Sequence, residues 1–105
     1  MKRLLTVGAI GVALAAGSAS AGHAEDVVKV GLIISYSGQF ADTGGQMDNA
    51  IKLYVKQHGD TVAGKKIEFI RKDTGGIAPD VAKRLAQELI VRDHADIIAG
   101  FALTP

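Results

Sequence analysis

Two hydrophobic periods take turns along this chain. Val27 to Ile34, "VVKVGLII", is an almost unbroken apolar run rich in β-branched residues, the pattern of a central parallel strand covered on both faces. From Met47 the period changes: Met47, Ala50, Ile51, Tyr54 and Val55 recur at helical spacing, with Asp48, Lys52, Lys56 and Gln57 off that stripe, which predicts an amphipathic helix. Thr43 and Gln46 stand in the order of a T-x-x-Q capping box, so the helix is expected to start there and to end at Gly59. "DTVAG", 60–64, is turn-rich, and "KKIEFIRKD" then alternates, with Ile67, Phe69 and Arg71 toward one face and Glu68, Ile70 and Lys72 toward the other. This predicts a second strand ending near Asp73. Pro79 and Asp80 suit the first turn of a helix, and Ala78, Val81, Ala82, Leu85, Ala86, Leu89 and Ile90 repeat the helical spacing more regularly than any other segment. "DIIAG", 96–100, is a short apolar third strand, with "FALTP" beyond its carboxyl end.

Strand, helix, strand, helix, strand with short connections defines an α/β fold, a parallel βαβαβ unit whose crossovers are right-handed and whose helices cover the sheet. The stretch before it reads differently. Lys2 and Arg3, an apolar run from Leu4 to about Leu14 and then small residues follow the order of a secretory signal peptide. The run is too short and too diluted by Gly8, Gly11 and Gly17 to span a membrane, which takes roughly 20 apolar residues. Cleavage is expected after Ala21 or Ala24, with Ala24 preferred, so residues 1–24 form the signal and 25–105 the mature part.

Composition then narrows the chemistry. The formal net charge of +1 rests on Lys2 and Arg3, which leave with the signal. What remains is near neutral with mixed charges, and nucleic acid is not an expected partner. The chain has no Cys, which excludes disulfides, thiolate nucleophiles and Cys-based zinc sites. Gly38, Gly44 and Gly45 fit neither G-x-G-x-x-G nor the P-loop, so no nucleotide cofactor is expected. Asp73 is expected to cap a loop or pair with Lys rather than to hold a metal, and His58 and His94 fall at a helix end and in a loop. No nucleophile with a paired base is visible, so an enzyme is not expected.

In open parallel sheets ligands sit at the carboxyl ends of the strands. Three segments meet that description: Ser35 to Gly45, Asp73 to Ala78 and Phe101 to Pro105. The first offers the Ser37 hydroxyl, a helix N-terminus with open N–H groups and Phe40 as an apolar wall. The last offers the Thr104 hydroxyl and the peptide N–H groups of Ala102, Leu103 and Thr104, with Phe101 and Leu103 as apolar neighbours. Together these suit a small ligand carrying a carboxylate.

With the signal peptide, "VKVGLIISYSGQFADTGGQMDNAIKLYV" and "AGKKIEFIRKDTGGIAPDVAKRLAQELIVRDHADIIAGFALTP", the chain resembles the type I periplasmic solute-binding proteins of ABC importers, in the branched-chain amino-acid (leucine/isoleucine/valine) group. The resemblance implies two α/β lobes joined by a hinge, a periplasmic location, and delivery of the ligand to a membrane permease. By the same resemblance, Ser37 to Thr43 lines the cleft, and Phe101, Ala102, Leu103 and Thr104 hold the ligand's carboxylate. Members of that family run to several times this length, so the chain is expected to hold part of the first lobe. Gln39 stands where the family commonly has Pro, and "TGGIAP" replaces an acidic loop with Asp-Pro. The expected ligand is a small carboxylate such as a branched-chain amino acid, with an amide or an aromatic acid, the last suggested by Phe40 and Phe101, left open. A ligand-sensing lobe of a regulatory protein with the same fold is the alternative.

Overall fold

The computed structural model describes residues 26–102. The expected signal peptide, Leu103 and Thr104 lie outside the described residues. Strand β1, Val27–Ile34, is followed by a short 3-10 turn, Gly38–Phe40, and by helix α1, Ala41–His58. A two-residue strand β2, Thr61–Val62, turns back on β3, Lys65–Asp73, and helix α2, Pro79–Val91, leads to β4, Ile97–Gly100.

The sheet order is β2-β3-β1-β4, with β1 parallel to both β3 and β4 and β2 antiparallel at the edge. The three expected strands and two crossover helices are present. The β2–β3 hairpin is an addition, carried by the residues read as a turn. β1 is central, and its carboxyl half is the best buried part of the sheet: Leu32, Ile33 and Ile34 are each 3% exposed or less.

Successive side chains of a strand point to opposite faces, and here each face has its own helix. Ile33 packs with Leu85 and Leu89 of α2, joined by Ile70, Val81, Ala82 and Ile98. Ile34 lies on the other side, against Gly44 of α1. Leu89 is fully buried, a burial worth about 2–3 kcal/mol. Because the connection from β1 leads to one side of the sheet and the connection from β3 returns to the other, the strand order reverses between β1 and β4, which is where such sheets receive ligands.

Helix α1 departs from expectation in two ways. It starts at Ala41, with Phe40 as N-cap and no side-chain cap bond, so Thr43 and Gln46 lie inside it rather than forming a capping box. The physical cause is close contact: Gly44 sits against the carbonyl of Ser35, where a Cβ would collide, and the helix must already be formed to deliver its backbone there. The inward face is also rotated. Asp48, placed off the apolar stripe, is 5% exposed, while Tyr54, placed on it, is 61% exposed. In α2 the stripe holds except at its end, where Ile90 is 56% exposed. Gly59 closes α1 as expected, its N–H bonding to the Val55 carbonyl at 2.7 Å.

Candidate ligand-binding site

The loops after the three parallel strands meet at one rim. β1 ends by entering a bend whose backbone is held from the neighbouring strand: Thr74 N–H donates to the Ile34 carbonyl at 3.1 Å, and Phe101 N–H donates to the Ile33 carbonyl at 2.8 Å. Ser35 is 4% exposed. Its hydroxyl lies 2.7 Å from the Thr74 hydroxyl and 3.4 Å from the Gly76 carbonyl, so the first and second loops share a buried hydroxyl pair.

A carboxylate ties the same two loops together further out. Asp73, the last residue of β3, accepts at Oδ1 from the N–H groups of Tyr36 at 2.8 Å, Ser37 at 3.2 Å and Gly75 at 2.8 Å. Its Oδ2 accepts from the Ser37 hydroxyl at 2.6 Å. Asp73 thus caps its own loop, as expected, and also the loop after β1. The Ser37 hydroxyl, followed by the three backbone donors, holds the Asp73 carboxyl below its ordinary value in spite of some burial. Gly38 completes the seam. Its φ is 78°, a region that favours glycine, and a Cβ there would strike the Gly75 carbonyl.

Beside this seam lies a cavity of about 280 Å³, near the lower end of the range for small-molecule pockets, about 300 Å³. Its walls are Ile33 and Ser35 from β1 and the bend, Thr74 and Gly76 to Ala78 from the second loop, Pro79, Ala82 and Lys83 from α2, and Phe101 and Ala102 from the end of β4. The lining is mostly apolar, with two hydroxyls and one ammonium. Phe101 enters it with a left-handed backbone, φ 56°, a conformation that is uncommon outside glycine and marks a constrained rim.

Among the residues named from sequence, Phe101 and Ala102 line the cavity, while Ser37 is exposed on the seam next to it and Phe40 is half-buried at the junction of the 3-10 turn and α1. Leu103 and Thr104 lie outside the described residues. Sequence reasoning passed over Ser35, Thr74, Ile77 and Lys83. The first three fall inside the loops already singled out, and Lys83 follows from Pro79 by one helical turn; that spacing was the available signal. Among the described residues no three His, Cys, Asp or Glu side chains gather to hold a metal ion, and no helix is long and apolar enough to cross a membrane.

On the α1 side of the same rim stands a polar cluster. Asp48 receives Arg71 Nε at 2.6 Å, Lys52 Nζ at 2.7 Å and the Tyr36 hydroxyl at 3.3 Å. Burial opposes the Asp48 charge, but the hydrogen bonds from Lys52 and Arg71 outweigh it and keep the carboxyl below its ordinary value. Burial, helped by the Asp48 charge, pushes the Tyr36 phenol up. This cluster ties the bend at Tyr36 and strand β3 to α1.

A mostly parallel sheet with a helix on each face, whose strand-end loops converge at the strand-order reversal, is an α/β lobe with a candidate ligand site at that rim. The chain belongs to the periplasmic binding protein family, whose model matches residues 27–105. It is 41% identical over 88 residues to the Leu/Ile/Val-binding protein homolog 6 of Brucella abortus, covering 84% of this chain and 22% of that protein. A solute-binding protein of an ABC transporter from Rhodopseudomonas palustris BisB5, solved in complex with 3,4-dihydroxybenzoic acid, is 64% identical with a TM-score of 0.73. That match covers 77% of this chain and 22% of the other. Another from R. palustris, in complex with 4-hydroxybenzoate, is 40% identical with a TM-score of 0.74, over 76% of this chain and 22% of its own. The chain therefore spans 22% of the length of these relatives.

Proposed function

We propose that this chain forms part of the first lobe of a periplasmic solute-binding protein, exported behind residues 1–24 as a cleaved signal peptide, which captures a small carboxylate ligand and delivers it to the membrane permease of an ABC importer. The role is to hold and release, not to transform. The observation that carries the reading is the meeting of three strand-end loops around an apolar cavity at the strand-order reversal. Family membership and the small-molecule complexes of the related structures support it.

The ligand class we favour is an aromatic acid. The relative at 64% identity is bound to 3,4-dihydroxybenzoic acid, and an apolar wall of Ile33, Ile77 and Phe101 with Ser35 and Thr74 also in the lining suits a flat ring with polar substituents. A branched-chain amino acid is the second reading, supported by the 41% identity to the Brucella protein. Within the proposal, Ser37, Phe40 and Phe101 to Thr104 remain the ligand-facing residues, with Ser35 and Thr74 added from the cavity wall. Isothermal titration of the full gene product with 3,4-dihydroxybenzoate, 4-hydroxybenzoate, benzoate and leucine tests this. Saturable heat with the aromatic acids is expected. Heat with leucine alone moves the assignment to the second reading, and none with any of the four sinks both.

A further inference from the structure

The seam between the first two loops contains an unusual economy of protons. Serine has one hydroxyl proton and two acceptor lone pairs. In Ser37 that proton is spent: it points at Asp73 Oδ2 across 2.6 Å, a charge-assisted bond of the short, strong kind. Asp73 is itself fixed by three backbone N–H groups on Oδ1, so it cannot rotate away without abandoning them. Ser37 nevertheless stays exposed on the rim. What it offers to the outside is therefore lone pairs alone.

We propose that Asp73 is a positioning residue that locks Ser37 as a hydrogen-bond acceptor on the exposed rim beside the cavity, so that this part of the site selects a donor on the ligand, a phenolic hydroxyl or an ammonium, and disfavours a carboxylate. The inference rests on the solute-binding reading above and adds to it the orientation of the ligand. A carboxylate oxygen set against Ser37 would meet oxygen with no proton between them, whereas a phenolic O–H finds a ready acceptor. The ligand's acidic end must then lie away from Ser37. Simple hydroxyl chemistry, in which a rim serine donates to an anion, is reversed here by one neighbouring carboxylate.

The comparison of 4-hydroxybenzoate with benzoate isolates that one donor. Titration calorimetry on the full gene product is expected to give about tenfold tighter binding of the hydroxylated acid, the contribution of one added hydrogen bond. In Asp73→Asn, the amide oxygen keeps the three backbone bonds while its NH₂ group donates to Ser37 and frees the hydroxyl proton, so Ser37 can donate as well as accept; 4-methoxybenzoate, which can only accept at its ring substituent, is expected to bind this variant more tightly relative to benzoate than it binds the unsubstituted protein. Ser37→Ala removes the acceptor without touching the backbone clamp and is expected to bring the preference for 4-hydroxybenzoate over benzoate close to unity, which keeps the test available if Asp73→Asn folds poorly. A purely structural role for Asp73 would weaken 4-methoxybenzoate and benzoate alike in Asp73→Asn and leave their ratio unchanged, and that result overturns the inference. So does equal binding of 4-hydroxybenzoate and benzoate by the unsubstituted protein, or a preference between those two that survives Ser37→Ala. Failure of the unsubstituted protein to bind any of the four solutes named above is a different outcome, which removes the solute-binding reading itself and this inference with it.

Discussion

Arg71 on β3 donates through Nε to Asp48 on α1 at 2.6 Å, tying the first helix to the strand that follows it. The Asp48 side chain is 7% exposed and that of Arg71 37%, so the pair straddles the edge of the core. Removing Arg71 leaves the buried Asp48 charge to the exposed Lys52 and the Tyr36 hydroxyl. Arg71→Met is expected to lower stability by about 1–3 kcal/mol, read as a shift in the urea midpoint of the full gene product. Lys52→Ala removes the outer cation, whose side chain is 62% exposed, and is expected to cost less than about 0.5 kcal/mol. Equal effects from the two would show that the buried contact is not the tie described here.

Acid should loosen the same region. Asp48 and Asp73 both ionise below their ordinary value of 3.8 in the folded chain. Each folded value lies under the unfolded one, so the stability these groups contribute is present above the unfolded value and is lost as pH falls through the folded values. Urea midpoints are expected to hold steady between pH 7 and about 5 and to decline below about 4. With Asp48→Asn and Asp73→Asn combined, that decline should be shallower. An unchanged slope in the double variant would assign the acid sensitivity to other carboxyls.

Two neighbouring glycines of α1 should respond in opposite directions. A Cβ on Gly44 meets the Ser35 carbonyl, which is backbone and cannot step aside, whereas a Cβ on Gly45 meets nothing within 4 Å. Gly44→Ala is expected to destabilise by at least about 2 kcal/mol, since it pushes the helix off the β1 bend. Gly45→Ala is expected to stabilise by about 0.5–1 kcal/mol through helix propensity alone. Thermal melts of the two single variants decide the matter; a Gly44→Ala protein as stable as its parent would mean that the helix and bend are not in contact.

Residues 26–102 produced by themselves should expose sticky surface. Val91 is 74% exposed, Tyr54 61%, Ile90 56% and Ile97 52%, and an uncovered sheet edge runs along β4. Strong binding of a hydrophobic dye and a broad, weakly cooperative thermal transition are expected for this piece. A sharp transition with dispersed amide signals would contradict that.

The runs that period alone can define were legible. Val27 to Ile34 and the α2 stripe declared themselves because each side chain's environment follows from its spacing, and the three loops followed from the order of the elements. Period says less about which side of a helix faces inward when partners come from afar. Asp48 looks solvated along α1 because its main partner, Arg71, lies on β3; only the i, i+4 pair with Lys52 was local. Tyr54 and Ile90 continue an apolar stripe past the point where the described sheet covers it. The capping box at Thr43 was overridden by the contact of Gly44 with Ser35. The Asp73 clamp was half visible: an Asp at a strand end announces a capped loop, but nothing in the local sequence says that it also captures Ser37 from the loop after β1.

Placing β1 between two later strands has a consequence for how the polypeptide comes together. Lys29 meets Asp96 67 residues further on, and Ser35 meets Thr74 39 residues further on, so the earliest of the described strands gains its second neighbour only once β4 has been made. Such distant pairings are slow to form, because the intervening chain must surrender its freedom before any contact rewards it. Under the export proposed above, that delay would keep the chain free to be threaded through a translocation pore before β1 is locked in.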